Sequence, residues 1–232
     1  MTTETDHQQN HHQEEKRTMA GTEEPAREDR APVEPSLYKA TASAAHRLQG
    51  AVLGADRPSS STAKATLSRL RRAVGQEPGA DPRSWWEVTE QMLGELPEKD
   101  LGRGDEASHS EWAAFVAITL FSLHQQSQHR PMHVAGVSLG KAVGTLKHRA
   151  GSESIKPRLD AVMVASTEAG IRYHIRSLIG LLRAHEIPLD YGRLAEDLRH
   201  LRHPERRRET VIRWGRDYAR ALHRASSAPS ES

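Results

Sequence analysis

The chain has 232 residues, a net charge of +2, 36% hydrophobic residues, 4% aromatics and no cysteine. Disulfide and thiolate chemistry are excluded, the longest apolar run (residues 112–121) is too short to span a bilayer, and the polar, His-rich N-terminus shows no signal-peptide pattern. A cytoplasmic protein with no membrane attachment is expected, with a core of Leu, Val, Ile and Ala that suits helices better than sheets. The charge is uneven: residues 1–40 carry 5 Lys/Arg against 9 Asp/Glu, residues 41–140 carry 10 against 11, and residues 141–232 carry 18 against 11. A basic C-terminal half points to an anionic partner, nucleic acid being the common case.

Residues 1–35 hold no periodic apolar positions and many Glu, Gln, His and Thr, so a disordered acidic tail is expected. His7, His11 and His12 within it are not expected to form a metal site. Helical patterns follow in order. The first runs over 36–53 and stops at Gly54. The second starts in the cluster "SSST", carries Leu67, Leu70 and Val74 on one face and ends at Gly75. The third opens on Asp81-Pro82, a cap followed by proline at the first helical position, and carries Trp85, Trp86, Met92 and Leu93. The fourth opens on Ser108 with Glu111 three residues on, a capping box. Its stretch "WAAFVAITLF" is apolar nearly all round and predicts a buried central helix. Further helices are expected near 137–149, 157–166, 168–185, 190–202 and 204–225. The chain reads as all-α: a tail at 1–35, two small helical bundles over 36–150 and 151–225 with a seam near 150–154, and a free tail at 226–232.

The segment "GVSLGKA" (136–142) resembles two active sites and satisfies neither. A phosphate-binding loop needs four residues between its glycines and Ser or Thr after the lysine; here three intervene and Ala142 follows Lys141. A Ser138–Lys141 hydrolase would need Ser-Asp-Asn and Lys-Thr-Gly elements, which are missing. The segment reads as a helix start, with Leu139, Ala142, Val143 and Leu146 on one side and Gly140, Lys141, Gly144 and His148 on the other. Bare backbone at the two glycines admits either a phosphate or a second helix, and spacing alone leaves both open. His124, His129 and His133 are too loosely spaced for a metal and read as capping or surface residues. Glu196 and Asp197 read as ion-pair partners of Arg193 and Arg199. No catalytic residue, metal site or cofactor is expected.

The arginines carry the remaining signal. Arg69 and Arg72 point away from the Leu67/Leu70/Val74 face, and Arg71 sits at its edge. Arg172, Arg176 and Arg183 run along one edge of a helix whose buried stripe is Ile171, Ile175, Leu178 and Leu182. In the last helix, Arg213, Arg216, Arg220 and Arg224 oppose Val211, Trp214, Tyr218 and Leu222; with Glu209 and Asp217 spaced to pair with Arg213, this face reads as solvated. Arg69/Arg72 and Arg172/Arg176 are the cleaner candidates for phosphate contact.

The pieces "LSRLRRAVG", "WAAFVAITLFSLHQ", "GVSLGKAVGTL", "KPRLDAVMVAS", "HIRSLIGLLRAHEIPLDYGRLAEDL" and "VIRWGRDY", in this order over roughly residues 59–222, resemble the CasB family, the small subunit of the type I-E CRISPR surveillance complex Cascade. Lys141 stands where that family more often has Arg, Pro157 precedes the matching Arg158, and the acidic tail has no counterpart. The resemblance implies a non-catalytic, all-helical antiviral-defence protein of two helical bundles. It further implies contacts with other Cascade subunits, guide RNA and the target and non-target DNA strands, pairing with a second copy of itself, and R-loop stabilisation through backbone contacts. Arg72, Lys141, Arg158 and Arg176 match the family's basic residues, with Arg69, Arg71, Lys147 and Arg172 extending the nucleic-acid-binding set. Two other readings remain: a helix-turn-helix regulator built on "LLRAHEIPLDYGRLAEDLRHL", and a protein scaffold that touches no nucleic acid.

Overall fold

The computed structural model describes residues 36–92 and 95–227. The expected tail at 1–35 with its three histidines, Leu93, and residues 228–232 lie outside the described residues. The described chain is all-α, and its elements are α1 (Leu37–Leu53), α2 (Arg57–Arg72), α3 (Pro82–Met92), a 3₁₀ turn (Glu98–Asp100), α4 (His109–His124), α5 (Leu139–Ala150), α6 (Ile155–Val164), α7 (Glu168–Ala184), α8 (Tyr191–Leu201) and α9 (Pro204–Ser227).

Local chemistry sets the helix starts. Side chains of Ser36, Asp56, Asp81, Ser108, Ser138, Thr167 and Asp190 each accept an amide N–H from the first turn of the helix that follows, satisfying donors with no intrahelical partner. At α4 the box is reciprocal, with Glu111 N–H on Ser108 Oγ at 3.0 Å and Ser108 N–H on Glu111 Oε2 at 2.8 Å. α2 begins before the "SSST" cluster because Asp56 caps it and Pro58 sits in its first turn. α5 ends at Gly151, whose φ of 61° is left-handed, a conformation glycine adopts at little cost.

α4 is the centre. Residues 112–121 are all buried, and the helix packs against α1, α2, α7 and α8. α8 lies among α1, α4 and α9, while α9 covers α5. One connected core runs from Leu37 of α1 to Tyr218 of α9, so the segments 36–150 and 151–225 share it. The expected stripes Leu67/Leu70/Val74 and Ile171/Ile175/Leu178/Leu182 are buried. Trp85 packs 6.1 Å from the ring of Phe115, whereas Trp86 is 70% exposed.

The α5–α9 contact resolves what spacing left open at Gly140 and Gly144. A Cβ on Gly140 would run into the Trp214 carbonyl, and one on Gly144 would come within 2.7 Å of the Tyr218 carbonyl oxygen. These glycines admit a helix and not a phosphate. The approach is locked by polar contacts at buried Trp214, whose indole N–H donates to Asp197 Oδ2 at 2.6 Å. Asp197 also pairs with Arg213. Arg213 therefore crosses to α8 instead of pairing with Glu209 or Asp217 along its own helix. Asp217 instead accepts the Ser138 hydroxyl at 2.7 Å and lies 3.7 Å from Arg220.

His124 and His133 are core residues, correcting the expectation of surface or capping roles; His129 is exposed. His124 Nδ1 lies 2.8 Å from the Tyr191 hydroxyl. His133 Nδ1 accepts the Tyr191 amide at 3.1 Å, while the His133 backbone exchanges two 3.0 Å hydrogen bonds with the Gln49 side chain. These hydrogen bonds offset part of the cost of burying the polar groups.

Two tests follow from the packing. Gly140→Ala should lower the unfolding free energy by about 2 kcal/mol or more through overpacking against backbone. Gly180→Ala, at a helical glycine with open space around it, should raise it by about 0.5–1 kcal/mol; urea titrations read both. For the second, burial pushes the His124 imidazole down to about 3 from 6.5. The folded value lies below the unfolded one, so this group's stability contribution is complete above pH 6.5 and is lost as pH falls toward 3. In His124→Gln, the slope of unfolding free energy against pH between 6.5 and 4 should flatten by up to about 1.4 kcal/mol per pH unit, one proton's worth.

Candidate nucleic-acid interface

The three arginines at the end of α2 have separate fates. Arg69 Nε donates to Glu87 Oε2 at 2.6 Å, and Glu87 Oε1 also accepts the Thr66 hydroxyl at 2.7 Å. The Glu87 hydrogen bond raises the Arg69 pKa, and the residue serves as a strut between α2 and α3. Arg72 is exposed. Arg71 is half-buried, and burial, with Arg183 and Arg72 nearby, lowers its pKa.

α7 sorts its arginines in the same way. Arg172 is 6% exposed. It forks onto Glu77, with Nη1 2.9 Å from Oε2 and Nη2 on Oε1, and Glu168 lies 3.9 Å away. Its charge is buried and neutralised, so Arg172 is a clamp between α7 and the α2–α3 loop and leaves the phosphate-contact set. Arg176, one turn on, is exposed. A Cβ on Gly75 would lie 3.6 Å from its Nη1, which places it beside the end of α2. Its neighbour Ser177 accepts a 2.6 Å hydrogen bond from Arg158 Nη1 of α6. Arg72, Arg176 and Arg158 are thus exposed on α2, α7 and α6, with Arg176 beside the end of α2 and Arg158 bonded to the residue that follows it.

Lys141 lies apart. It is exposed on the first turn of α5 and lines a depression of about 350 Å³ with Tyr38, Gly136, Ser138, Asp190, Arg193 and Asp217. Ser138, with its hydroxyl on Asp217 and its oxygen capping the Lys141 amide at 3.2 Å, is a cap and a latch to α9. Lys147 is paired with Glu153. Among the described residues, Arg71, Arg72, Arg158, Arg176, Arg183 and Lys141 make no ion pair. Also among the described residues, no group of three or more His, Asp or Glu side chains is placed to hold a metal, and no helix is long and apolar enough to cross a membrane.

Sequence reasoning did not place Arg183 and Lys64 with the candidate set. Arg183 approaches Arg71 across the α2–α7 gap. Lys64 lies seven residues before Arg71, two turns along the same face of α2, and that spacing was the available signal. The helix-turn-helix reading meets a steric obstacle: Tyr191, Gly192, Leu194, Ala195, Asp197, Leu198 and Leu201 of α8 are buried, so most of that helix is taken up by packing and is not free to enter a groove.

Among the described residues, the fold and surface together define an all-helical protein with exposed cations, free of ion pairs, on α2, α5, α6 and α7. The chain belongs to the CRISPR-associated protein Cse2 family, whose family model matches residues 66–218. Similar solved structures include CasB from Thermobifida fusca, 29% identical over 78% of this chain and 97% of that one, with a TM-score of 0.65. A Cse2-family CRISPR-associated protein from Thermus thermophilus is 25% identical over 80% of this chain and 99% of that one, with a TM-score of 0.58. A chain of a CRISPR RNA-guided surveillance complex shares the fold at 20% identity, covering 82% of this chain and 97% of its own, with a TM-score of 0.60. No curated protein matches the chain.

Arg172 and Arg176 should separate cleanly on substitution. Arg172→Ala should cost roughly 2 kcal/mol of stability, because it leaves Glu77 without its partner and opens a buried site. Arg176→Ala should stay within about 0.5 kcal/mol of the parent, as exposed substitutions usually do. Thermal and urea unfolding of the two variants checks the assignment.

Proposed function

We propose that this chain is the non-catalytic small subunit of a Cascade-type, type I-E CRISPR surveillance complex, and that it holds nucleic-acid strands by their backbones. In this reading its partners are the other Cascade subunits, guide RNA, the target and non-target DNA strands and a second copy of itself, in the cytoplasm. Guide pairing reads sequence; the protein keeps the displaced non-target strand away from the target strand. R-loop formation is a near-balanced exchange of duplexes, so a few backbone contacts are enough to tip it.

The observation that carries this reading is the set Arg72, Arg176 and Arg158, three exposed guanidiniums on three helices that, among the described residues, have no carboxylate partner, inside the segment that matches the Cse2 family. Neighbouring cations that lack a counter-charge repel one another, and a strand of phosphates relieves that repulsion while releasing condensed counterions. Arginine suits the task because its planar fork matches two phosphate oxygens. Lys141 adds a point charge at a separate place, and two such places fit a protein that holds strands apart.

The test is the salt dependence of binding. For a single strand the log–log slope is about −0.7 per phosphate neutralised. The Arg72→Ala/Arg158→Ala/Arg176→Ala variant should flatten the slope by up to about 2 units, and adding Lys141→Ala should bring the total to about 3. Affinity should fall alike for every sequence, since backbone contacts carry no sequence code. Within the assembled complex, the quadruple variant should incorporate normally and hold R-loops for shorter times. An unchanged slope in a folded, assembled variant would leave the scaffold reading in its place.

A further inference from the structure

A second feature adjoins the exposed arginines. Between α1, α2 and the loop that follows α4 lies a pocket of about 450 Å³, lined by Val52, Leu53, Lys64, Leu67, Arg71, Gln125, Gln126, Ser127, Gln128 and His129. Its size falls in the range of small-molecule and cofactor sites. Its lining sorts into three chemical parts. Val52, Leu53 and Leu67 supply an apolar floor. Lys64 and Arg71 supply positive charge, and among the described residues no carboxylate lines the pocket. Four consecutive polar side chains, 125–128, supply a rim of hydrogen-bonding groups.

The rim is built and held. Gln125 is buried and its carboxamide is spent on the loop: Nε2 donates to the Arg130 carbonyl at 3.0 Å, and Oε1 accepts the Met132 amide at 3.0 Å. Gln128 Nε2 donates to the Arg183 carbonyl at 3.1 Å, and Arg183 Nε donates to the Gln126 carbonyl at 3.1 Å. These bonds fix the loop to α7. Ser127 sits at φ 58°, the left-handed region a non-glycine residue enters at a cost of about 1–3 kcal/mol. Among the described residues, the Gln126 carboxamide, Gln128 Oε1 and the Ser127 hydroxyl have no hydrogen-bond partner. Arg71 is crowded by Arg183 and Arg72, and among the described residues none of the three makes an ion pair.

We infer that this pocket binds a nucleoside phosphate, the base lying on the Val52/Leu53/Leu67 floor, its edge meeting Gln126 and Gln128, and the phosphate meeting Arg71 and Lys64. An apolar floor beside amide donors and acceptors suits the face and edge of an unpaired base, and an uncompensated Arg/Lys pair suits the charge it carries. Arg72 shares the last turn of α2 with Arg71, so the pocket and the exposed arginines lie at the same end of that helix. The inference rests on the proposed strand-holding role in one respect: the nucleotide is taken to belong to the bound strand, as a single base turned out of it. A free nucleotide has the same chemistry and is distinguished below.

The experiment compares a single-stranded DNA oligonucleotide with one of equal length whose central bases are replaced by abasic sites, using the whole protein and fluorescence anisotropy at fixed salt. Wild type should bind the base-bearing strand about tenfold more tightly, the effect of removing roughly 60 Å² of apolar area from water. Leu53→Trp fills the floor without changing any charge. It should bring the ratio to about one while leaving affinity for the abasic strand unchanged. Arg71→Gln should weaken binding of both strands. A calorimetric titration of wild type with a deoxynucleoside monophosphate forms the second arm. Saturable binding that Leu53→Trp abolishes, with equal affinity for the two strands, assigns the pocket to free nucleotides and overturns the strand assignment. Equal affinity for the two strands with no mononucleotide binding overturns the site itself. A wild-type protein that binds neither strand contradicts the proposed function, and the mononucleotide arm then decides the pocket alone. If Leu53→Trp unfolds, Val52→Phe fills the same floor from one residue earlier.

Discussion

The close approach of α5 and α9 is the constraint on which the rest of the structure depends. Gly140 and Gly144 remove the side chains that would hold the two helices apart, and the Trp214 and Tyr218 backbone occupies the space. That contact buries Trp214, brings its indole N–H to Asp197 and ties α9 to α8. α8 is thereby pressed against α1 and α4, and the polar set Tyr191, His124, His133 and Gln49 closes around it. A lysine beside two glycines, read in isolation, resembles a phosphate site. In the fold the glycines serve the helix behind them, and the lysine is left on the outside.

The same division runs through the charges. Arg69, Arg172, Arg199, Arg202 and Arg213 are each matched to a carboxylate on another element or a neighbouring turn; they hold the helices together. Arg72, Arg158 and Arg176 are exposed and, among the described residues, paired with no carboxylate. A guanidinium already neutralised in a carboxylate fork offers a phosphate little, because the strand would have to displace a partner that is preorganised and close. An exposed guanidinium beside other cations gains from the first anion that arrives. Net charge, at only +2, hides this: residues 1–40 carry a surplus of acids, and several of the other acids are paired with arginines that brace the scaffold.

Helix starts were legible because single residues decide them: Ser36, Asp81, Ser108 and Glu111 cap as their spacing required. The apolar stripes of α2 and α7 and the all-round apolarity of α4 were legible for the same reason, being local periodicity. What spacing could not give was the partner across space. Arg172 and Arg176 are one turn apart on the same helix edge, and only the position of Glu77, 95 residues away from Arg172, buries one and leaves the other free. Arg213 had acids at helical spacing on α9 and took Asp197 of α8 instead. His124 and His133 looked isolated in sequence because Tyr191, which joins them, comes from α8. The pocket beside Arg71 was invisible for the same reason, since its walls come from α1, α2 and the loop after α4.

The most direct measurement is arginine footprinting: phenylglyoxal modification of the protein with and without a saturating single-stranded oligonucleotide, read residue by residue by mass spectrometry. Arg72, Arg158 and Arg176 should react in the free protein and be protected in the complex. Arg172 should be unreactive in both states, and the exposed α9 arginines Arg216, Arg220 and Arg224 should react equally in both. Protection confined to α9, or no change at Arg72, Arg158 and Arg176 while the strand is bound, would contradict the assignment of the interface to the exposed arginines of α2, α7 and α6.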